Sequence, residues 1–296
     1  MAHPQHQEWP QAPADQERHL TDFRSFGYFI MRGLLPRTVV RKVRQELSQV
    51  VDEIAHDLLR RGIISDLHQR SSFEQRLMRL YAHDQESAPG NLRGFLHREA
   101  FFPVFFHPAI LDVAELILGS ELRLYPNYSC RPKLPLSDAG LVLWHQDAGY
   151  TEQFGLGTTP IEQLRMLNVW TPLVTATAET GCMQFIPGSH LQGLVRHAQG
   201  RHYLEIEEEV LRTCRDQAVT IEMEPGDVVF FDNLLFHRGL PNVSDHIRWS
   251  MDWRYQDARQ ETMRLGRGFL ARSTTEDAPL VASARQWSQL ALDNLP

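Results

Sequence analysis

The sequence predicts a mainly β protein with flanking α structure: helices first, then an antiparallel barrel or jelly roll. Three observations carry this. Up to about residue 119 apolar residues recur at helical spacing. Beyond residue 120 the period shortens towards two, in short runs each closed by Pro, Gly or Asn. The chain has 296 residues, 42% of them hydrophobic and 23% charged, enough to bury one sizeable core without staples. Residues 17–296 are expected to form a single domain, with a helical part at 17–119, a β core at 120–256 and a loosely organised tail at 257–296.

In chain order, residues 1–16 are rich in Pro, Gln and Ala and read as a disordered tail. QERHLTDFRSFG suits a short helix ended at Gly27, and YFIMRGLL a strand or extended piece before Pro36. The next segment sets Val39, Val43, Leu47, Val50, Ile54 and Leu58 at helical spacing, closed by Gly62. Residues 63–119 read as irregular helix, clearest in HPAILDVAELILG, and the phenylalanines of REAFFPVFFHP read as packing between helices and a sheet. The strands expected after them are ELRLYPNYSC, GLVLWHQDAGY, RMLNVWTPLV, CMQFIPGSH, AVTIEMEPGDVVFFDN and HIRWSMDWRYQ. HYLEIEEEVLRTCRD is expected to interrupt them as a helical or loop insertion.

The composition excludes several classes. A net charge of -7 argues against a general nucleic-acid binder. There is no run of eighteen apolar residues for a membrane span, and the N-terminus lacks the basic start and apolar stretch of a secretory signal. Three scattered cysteines, Cys130, Cys182 and Cys214, make neither a disulfide framework nor a zinc knuckle. The expected setting is cytoplasmic, with a small-molecule substrate and neither nucleic acid nor membrane as partner. Only Lys42 and Lys133 among the 30 basic residues are lysines, a bias attributed to codon composition.

The chemistry gathers in the β part. If LVLWHQD is a strand, His145 and Asp147 point to the same face. A second strand candidate, GDVVFFDNLLFH, ends at His237, 92 residues after His145. Two imidazoles and a carboxylate on one face of an octahedron leave three positions open, the arrangement of non-haem Fe(II) oxygenases. Arg248 follows His237 by eleven residues, past a turn rich in Gly, Pro, Asn and Asp. In IRWSMDWRY, Arg248, Ser250 and Asp252 share one face. An inward arginine needs an anion, a carboxylate suits its planar fork, and Ser250 can add a hydroxyl. His190 and His246 read as structural; His83, His97, His107, His197 and His202 read as background in helices or loops.

The segments WHQD, LNVWTPL, GCMQFIPGSH and EPGDVVFFDNLLFHRGLPN, with the arginine eleven residues past the histidine, resemble the phytanoyl-CoA dioxygenase family. The resemblance covers roughly residues 20–256 and is strongest from Tyr125 to Tyr255. It implies a double-stranded β-helix (jelly-roll, cupin-like) core with N-terminal helices packed on one side. It also implies Fe(II), 2-oxoglutarate and O2 as cofactor and cosubstrates, with release of succinate and carbon dioxide. By the same resemblance His145, Asp147 and His237 hold the iron, and Arg248 binds the distal carboxylate of 2-oxoglutarate. Trp170 lines the cosubstrate pocket, and Asn127 is a further candidate there. The family's lysine before a proline is replaced by Arg131-Pro132-Lys133, so either cation can serve. Gly239 replaces a hydroxyl residue, a contact open to Ser250. A longer loop, TEQFGLGTTPIEQLR, is a candidate cover for the site. Related halogenases lack the carboxylate, so Asp147 favours oxygen insertion.

The sequence therefore points to an oxygenase hydroxylating a small organic molecule. Desaturation, epimerisation or cyclisation in natural-product biosynthesis uses the same ligands. Less favoured are a cupin-type isomerase using Zn(II) or Mn(II) and a non-catalytic binding protein.

Overall fold

The helical and the strand-rich halves of the chain meet in one fold. The computed structural model describes residues 13–137, 141–154, 158–200 and 204–290. Helices α1 (Pro13–Phe26), α2 (Arg37–Arg60), α3 (Arg76–Leu80), α4 (Phe102–Phe105) and α5 (Pro108–Leu118) come first, with β1 (Tyr28–Met31) between α1 and α2. Then follow β2 (Leu122–Leu124), β3 (Ser129–Lys133), α6 (Asp147–Phe154), β4 (Met166–Pro172), β5 (Met183–Phe185), β6 (His197–Gln199) and β7 (Leu204–Ile206). The last are α7 (Glu208–Leu211), β8 (Val219–Ile221), β9 (Val228–Asp232), β10 (His237–Gly239), β11 (Arg248–Asp257), β12 (Phe269–Arg272) and α8 (Ala284–Gln289).

The strands make a seven-stranded antiparallel sheet in the order β1-β9-β4-β11-β2-β12, with β3 also on β11, and a three-stranded sheet β10-β5-β8. This is the jelly-roll, cupin-like core with helices packed against it. The period-two pattern explains the layering. On β11 the residues Trp249, Met251, Trp253 and Tyr255 face outward into the main core, where α2 and α5 add Val43, Leu47, Val50, Ile110 and Val113. The alternate residues face the small sheet. There Trp170, Val229 and Phe231 meet Met183, Phe185 and Ile221. The run AVTIEMEPGDVVFFDN turns at Glu224–Gly226 and supplies one strand to each sheet.

α1 stops at Gly27, whose φ of +82° suits glycine, and a Cβ there would lie 2.6 Å from His190 Nδ1. His190 therefore has the structural place expected of it.

At the chain's ends and in one insertion the structure departs from expectation. Sequence composition extends the N-terminal tail through residue 16, but α1 already begins at Pro13; residues 1–12 lie outside the described residues. HYLEIEEEVLRTCRD is partly strand, because β7 pairs with β6 before α7 begins; its His202 lies outside the described residues. The tail at 257–296 is not loose where it is described: β12 pairs with β2, and α8 inserts Trp287 into the main core. The Trp287 indole donates to the Leu96 carbonyl at 2.8 Å and stacks on His97 with ring centroids 4.1 Å apart. Trp287→Ala should lower the unfolding free energy by about 3–5 kcal/mol. Urea denaturation checks this; a change below about 1 kcal/mol would mean the tail is dispensable.

Glu99–Leu118 has the length and apolar character of a membrane span, with a mean hydropathy of 1.7. Here it is broken into short helical pieces around Pro103 and Pro108, and its Phe101, Phe105, Ile110 and Val113 are buried in the core.

Candidate active site

His145 and His237 are set side by side by their own backbones. Each donates its N–H to the other's carbonyl, at 2.9 and 3.0 Å, across an isolated antiparallel bridge. Their rings lie 4.0 Å apart between centroids. The Nδ1 of His145 faces the Leu143 carbonyl at 2.8 Å, and the Nδ1 of His237 faces the Leu235 carbonyl at 2.8 Å. A carbonyl only accepts, so both Nδ1 atoms carry the proton and both Nε2 atoms present lone pairs. Burial, then the neighbouring His237 ring, push His145 down to about 3; burial lowers His237 as well. Both rings are neutral at physiological pH, as ligation requires.

The strand expected through LVLWHQD is not formed. Asp147 is the first residue of α6, so it reaches His145 by a strand-to-helix turn and not by strand alternation. His237 likewise begins β10 instead of ending the strand before it. The trio converges nonetheless: ligand atoms of His145, Asp147 and His237 all lie within 4.8 Å of one another, and all three residues are buried.

Gln146 locks this turn from behind. Its amide nitrogen donates to the carbonyls of Gly193 and Leu234 at 2.8 and 2.7 Å, and its oxygen accepts from Val195 N at 2.9 Å. Its backbone N–H donates to His197 Nε2 at 3.2 Å, so His197, read as background in a helix or loop, lies on β6 and braces the site.

Arg254, which the sequence pattern does not single out, donates from Nη2 to Asp147 Oδ1 at 2.6 Å. Burial alone would raise the Asp147 carboxyl, but the Arg254 charge and the two imidazoles hold it well below the usual carboxylate range. The carboxylate is ionised, and its other oxygen, Oδ2, faces His237 Nε2 at 3.9 Å.

The second part of the site lies at the other end of β11. Arg248 donates from Nη1 to Ser250 Oγ and from Nη2 to the Gly181 carbonyl at 3.1 Å; its buried Nε has no partner. Its Cζ stands 5.4 Å from the Trp170 ring centroid. Among the described residues no carboxylate pairs with it. Directly across, in register on β3, is Lys133. Its amine also lacks a partner among the described residues, and burial, then the Arg248 charge, push it down to about 6. Burial lowers Arg248 to about 10. A buried guanidinium without a counter-charge, beside an amine that can gain a proton, suits a carboxylate.

This separates Arg131 from Lys133. Arg131 shares the inner face but is neutralised by Asp252, Nε to Oδ2 at 2.7 Å. A Cβ at Gly239 would stand 2.9 Å from Lys133 Nζ, so the lysine's flexible end lies beside Gly239. The Asn127 amide oxygen accepts from Arg93. The described parts of the long loop form α6 and a short helical turn at Ile161–Gln163, whose Ile161 packs with Ala148 and Met166 beside the site.

The trio's own chemistry fits a divalent metal: neutral imidazoles with bare Nε2 atoms and one ionised carboxylate, all on buried residues. A jelly-roll core with such a trio and a nearby carboxylate receptor defines an oxygenase-type cupin. Comparison with known proteins specifies it further. Residues 23–250 match the phytanoyl-CoA dioxygenase (PhyH) family model, and the chain belongs to that family. It is 28% identical over 245 residues to the 1-deoxypentalenic acid 11-beta-hydroxylase of Streptomyces arenae, covering 78% of each chain. In fold it resembles EctD from S. alaskensis with 2-oxoglutarate and 5-hydroxyectoine, at TM-score 0.59 and 19% identity over 93% of this chain and 89% of that one. It also resembles the epimerase SnoN in complex with Fe3+, alpha ketoglutarate and nogalamycin RO, at TM-score 0.56 and 23% identity over 85% and 87%.

Proposed function

We propose that this chain is an Fe(II)- and 2-oxoglutarate-dependent dioxygenase that hydroxylates a small organic molecule. The observation that carries it is the pairing of the His145–Asp147–His237 trio with Arg248 and Lys133, which stand opposite each other and reach the site beside Gly239, two residues past His237. His145, Asp147 and His237 would hold the metal. Arg248, with Ser250 and Lys133, would hold the distal carboxylate of 2-oxoglutarate, with Trp170 against it. The metal supplies activation of oxygen coupled to decarboxylation of the keto acid. The chain supplies the rest: Arg254 keeps Asp147 ionised, the Leu143 and Leu235 carbonyls hold each imidazole in its ligating tautomer, and the apolar wall of Trp170, Val229 and Phe231 excludes water. Hydroxylation is favoured by the activity in the name of the Streptomyces relative; product mass separates it from epimerisation, since only hydroxylation adds one oxygen.

The test is an anaerobic titration of metal-free protein with Fe(II) and then 2-oxoglutarate. A weak visible charge-transfer band should form in wild type and be absent in His145→Ala. No band in wild type would remove the keto acid from the reading.

Lys133 adds a pH dependence. Before the keto acid binds, Lys133 is neutral above pH about 6. A carboxylate restores its proton, so binding takes up protons, and affinity should fall as pH rises above about 6, by up to about tenfold per unit. Lys133→Met should bind more weakly and lose this slope. Calorimetry in two buffers of different ionisation enthalpy reads the proton uptake directly; equal heats in both would contradict it.

A further inference from the structure

The cosubstrate clamp uses one end of β11, but a second set of unsatisfied polar groups lies on the far side of Asp147. Arg254 is 7% exposed and gives Nη2 to Asp147, while its buried Nε and Nη1 have no partner among the described residues. Asn168 sits directly across from it on β4, pointing to the same face, with both amide atoms buried and unpartnered among those residues. Asn233, whose backbone carbonyl accepts from Ala148 N at 3.0 Å, is in the same condition. A buried polar group left without a partner forfeits its hydration and gains nothing in return, and three beside one metal-type trio are not explained by packing.

The charge around them is lopsided. Among the described residues Arg93 is bonded to neutral oxygens, Tyr128 O at 3.0 Å and Asn127 Oδ1. Burial, then the like charges of Arg264, Arg131 and Arg254 against the single carboxylate of Asp252, lower Arg93 to about 10. Arg264 brings a further positive charge beside Tyr125, Arg254 and Asp147. The two nearby carboxylates are already engaged, Asp252 by Arg131 and Asp147 by Arg254. Bordering this corner is an apolar patch of Ile161, Leu164, Met166 and Met263.

We propose that Arg93 and Arg254, with Asn168 beside them, form the receptor for an acidic group of the primary substrate, and that this substrate is a carboxylic acid on an apolar carbon skeleton. The proposal rests on the oxygenase reading and names the substrate class for that site. The carboxylate accepts from one of the two Arg254 nitrogens left open, Nη1 or Nε, beside the Nη2 that holds Asp147, and takes the charge of Arg93. The apolar patch takes the skeleton, and the susceptible carbon is thereby held next to Asp147. A neutral analogue leaves the arginines unpaired and binds less well.

The experiment uses the full chain, anaerobic, loaded with Fe(II) and 2-oxoglutarate. Its visible band is titrated with matched probes: decanoate against decanamide, and adamantane-1-carboxylate against adamantane-1-carboxamide. Wild type should bind at least one acid roughly tenfold or more tightly than its amide, the size of one charged hydrogen bond. Arg93→Gln and Arg254→Gln should each bring that preference to within about threefold, and Arg93→Lys should keep it. Arg93 touches no residue of the trio, so its variants report on substrate charge even where Arg254→Gln disturbs Asp147. If no acid is preferred to its amide, or the preference survives Arg93→Gln and Arg254→Gln, the proposal is wrong while the oxygenase reading stands. If no band forms at all in wild type, the oxygenase reading fails and takes the proposal with it.

Discussion

Asp147→Ala should abolish 2-oxoglutarate turnover coupled to substrate, lowering succinate formation by at least about a thousandfold, as expected when one member of a unit that acts together is removed. The carboxylate is the one anionic ligand of the trio, and its loss leaves two neutral imidazoles to hold a dication. A second effect accompanies it. Arg254 loses the partner of its Nη2 and becomes a buried charge with no counter-ion, which should cost about 3 kcal/mol or more in stability. Asp147→Asn keeps the volume and loses the charge, so both variants should be inactive by succinate assay, with circular dichroism showing the fold retained. Turnover at the wild-type rate in either would sink the assignment of Asp147.

Arg248→Met should weaken 2-oxoglutarate binding by about 2–5 kcal/mol, roughly 30-fold or more, without changing how Fe(II) binds. Arg248 holds its place through Ser250 and Gly181, both neutral, so no protein carboxylate competes for its charge. Lys133 remains beside the place of the lost guanidinium and cannot reproduce its bidentate fork. The readout is the keto acid concentration needed for half of the visible band, measured at fixed Fe(II). An unchanged value would move the distal carboxylate away from Arg248.

Most of this site is legible in the sequence because its residues sit where period and turn chemistry change together. His145, Asp147 and His237 stand at such junctions, and Arg248 opens a run whose alternation from Arg248 to Tyr255 is unbroken. The same rule misplaces Asp147. WHQD continues the alternation of LVL, but DAGYTEQF has no apolar stripe to announce α6, so the helix is set by Gln146 and its long-range partners. Arg131 and Lys133 cannot be separated from sequence, since both fall on one face of β3; cross-strand register puts Asp252 within reach of the first and Arg248 opposite the second. Arg254 shares the face of Arg248, but its partner Asp147 is distant in the chain and no local pattern joins the two. β12 and α8 escape detection for lack of length: four and six residues carry too little periodicity, and the value of Trp287 lies in His97, Phe105 and Tyr128, which local pattern does not reveal.

The unbroken course of β11 makes it a gauge. Arg248 and Arg254 are six residues apart on one extended strand, so their Cα atoms are separated by about 20 Å. Pairing with β3 on one side and β4 on the other prevents that length from stretching or sliding. An inserted residue between them would turn one of the two arginines out into the aromatic core. The spacing between Arg248 and Arg254 is thus not adjustable piecemeal; on the proposed assignment, a change in the size of molecule accepted falls to the segments around the strand and not to the strand itself.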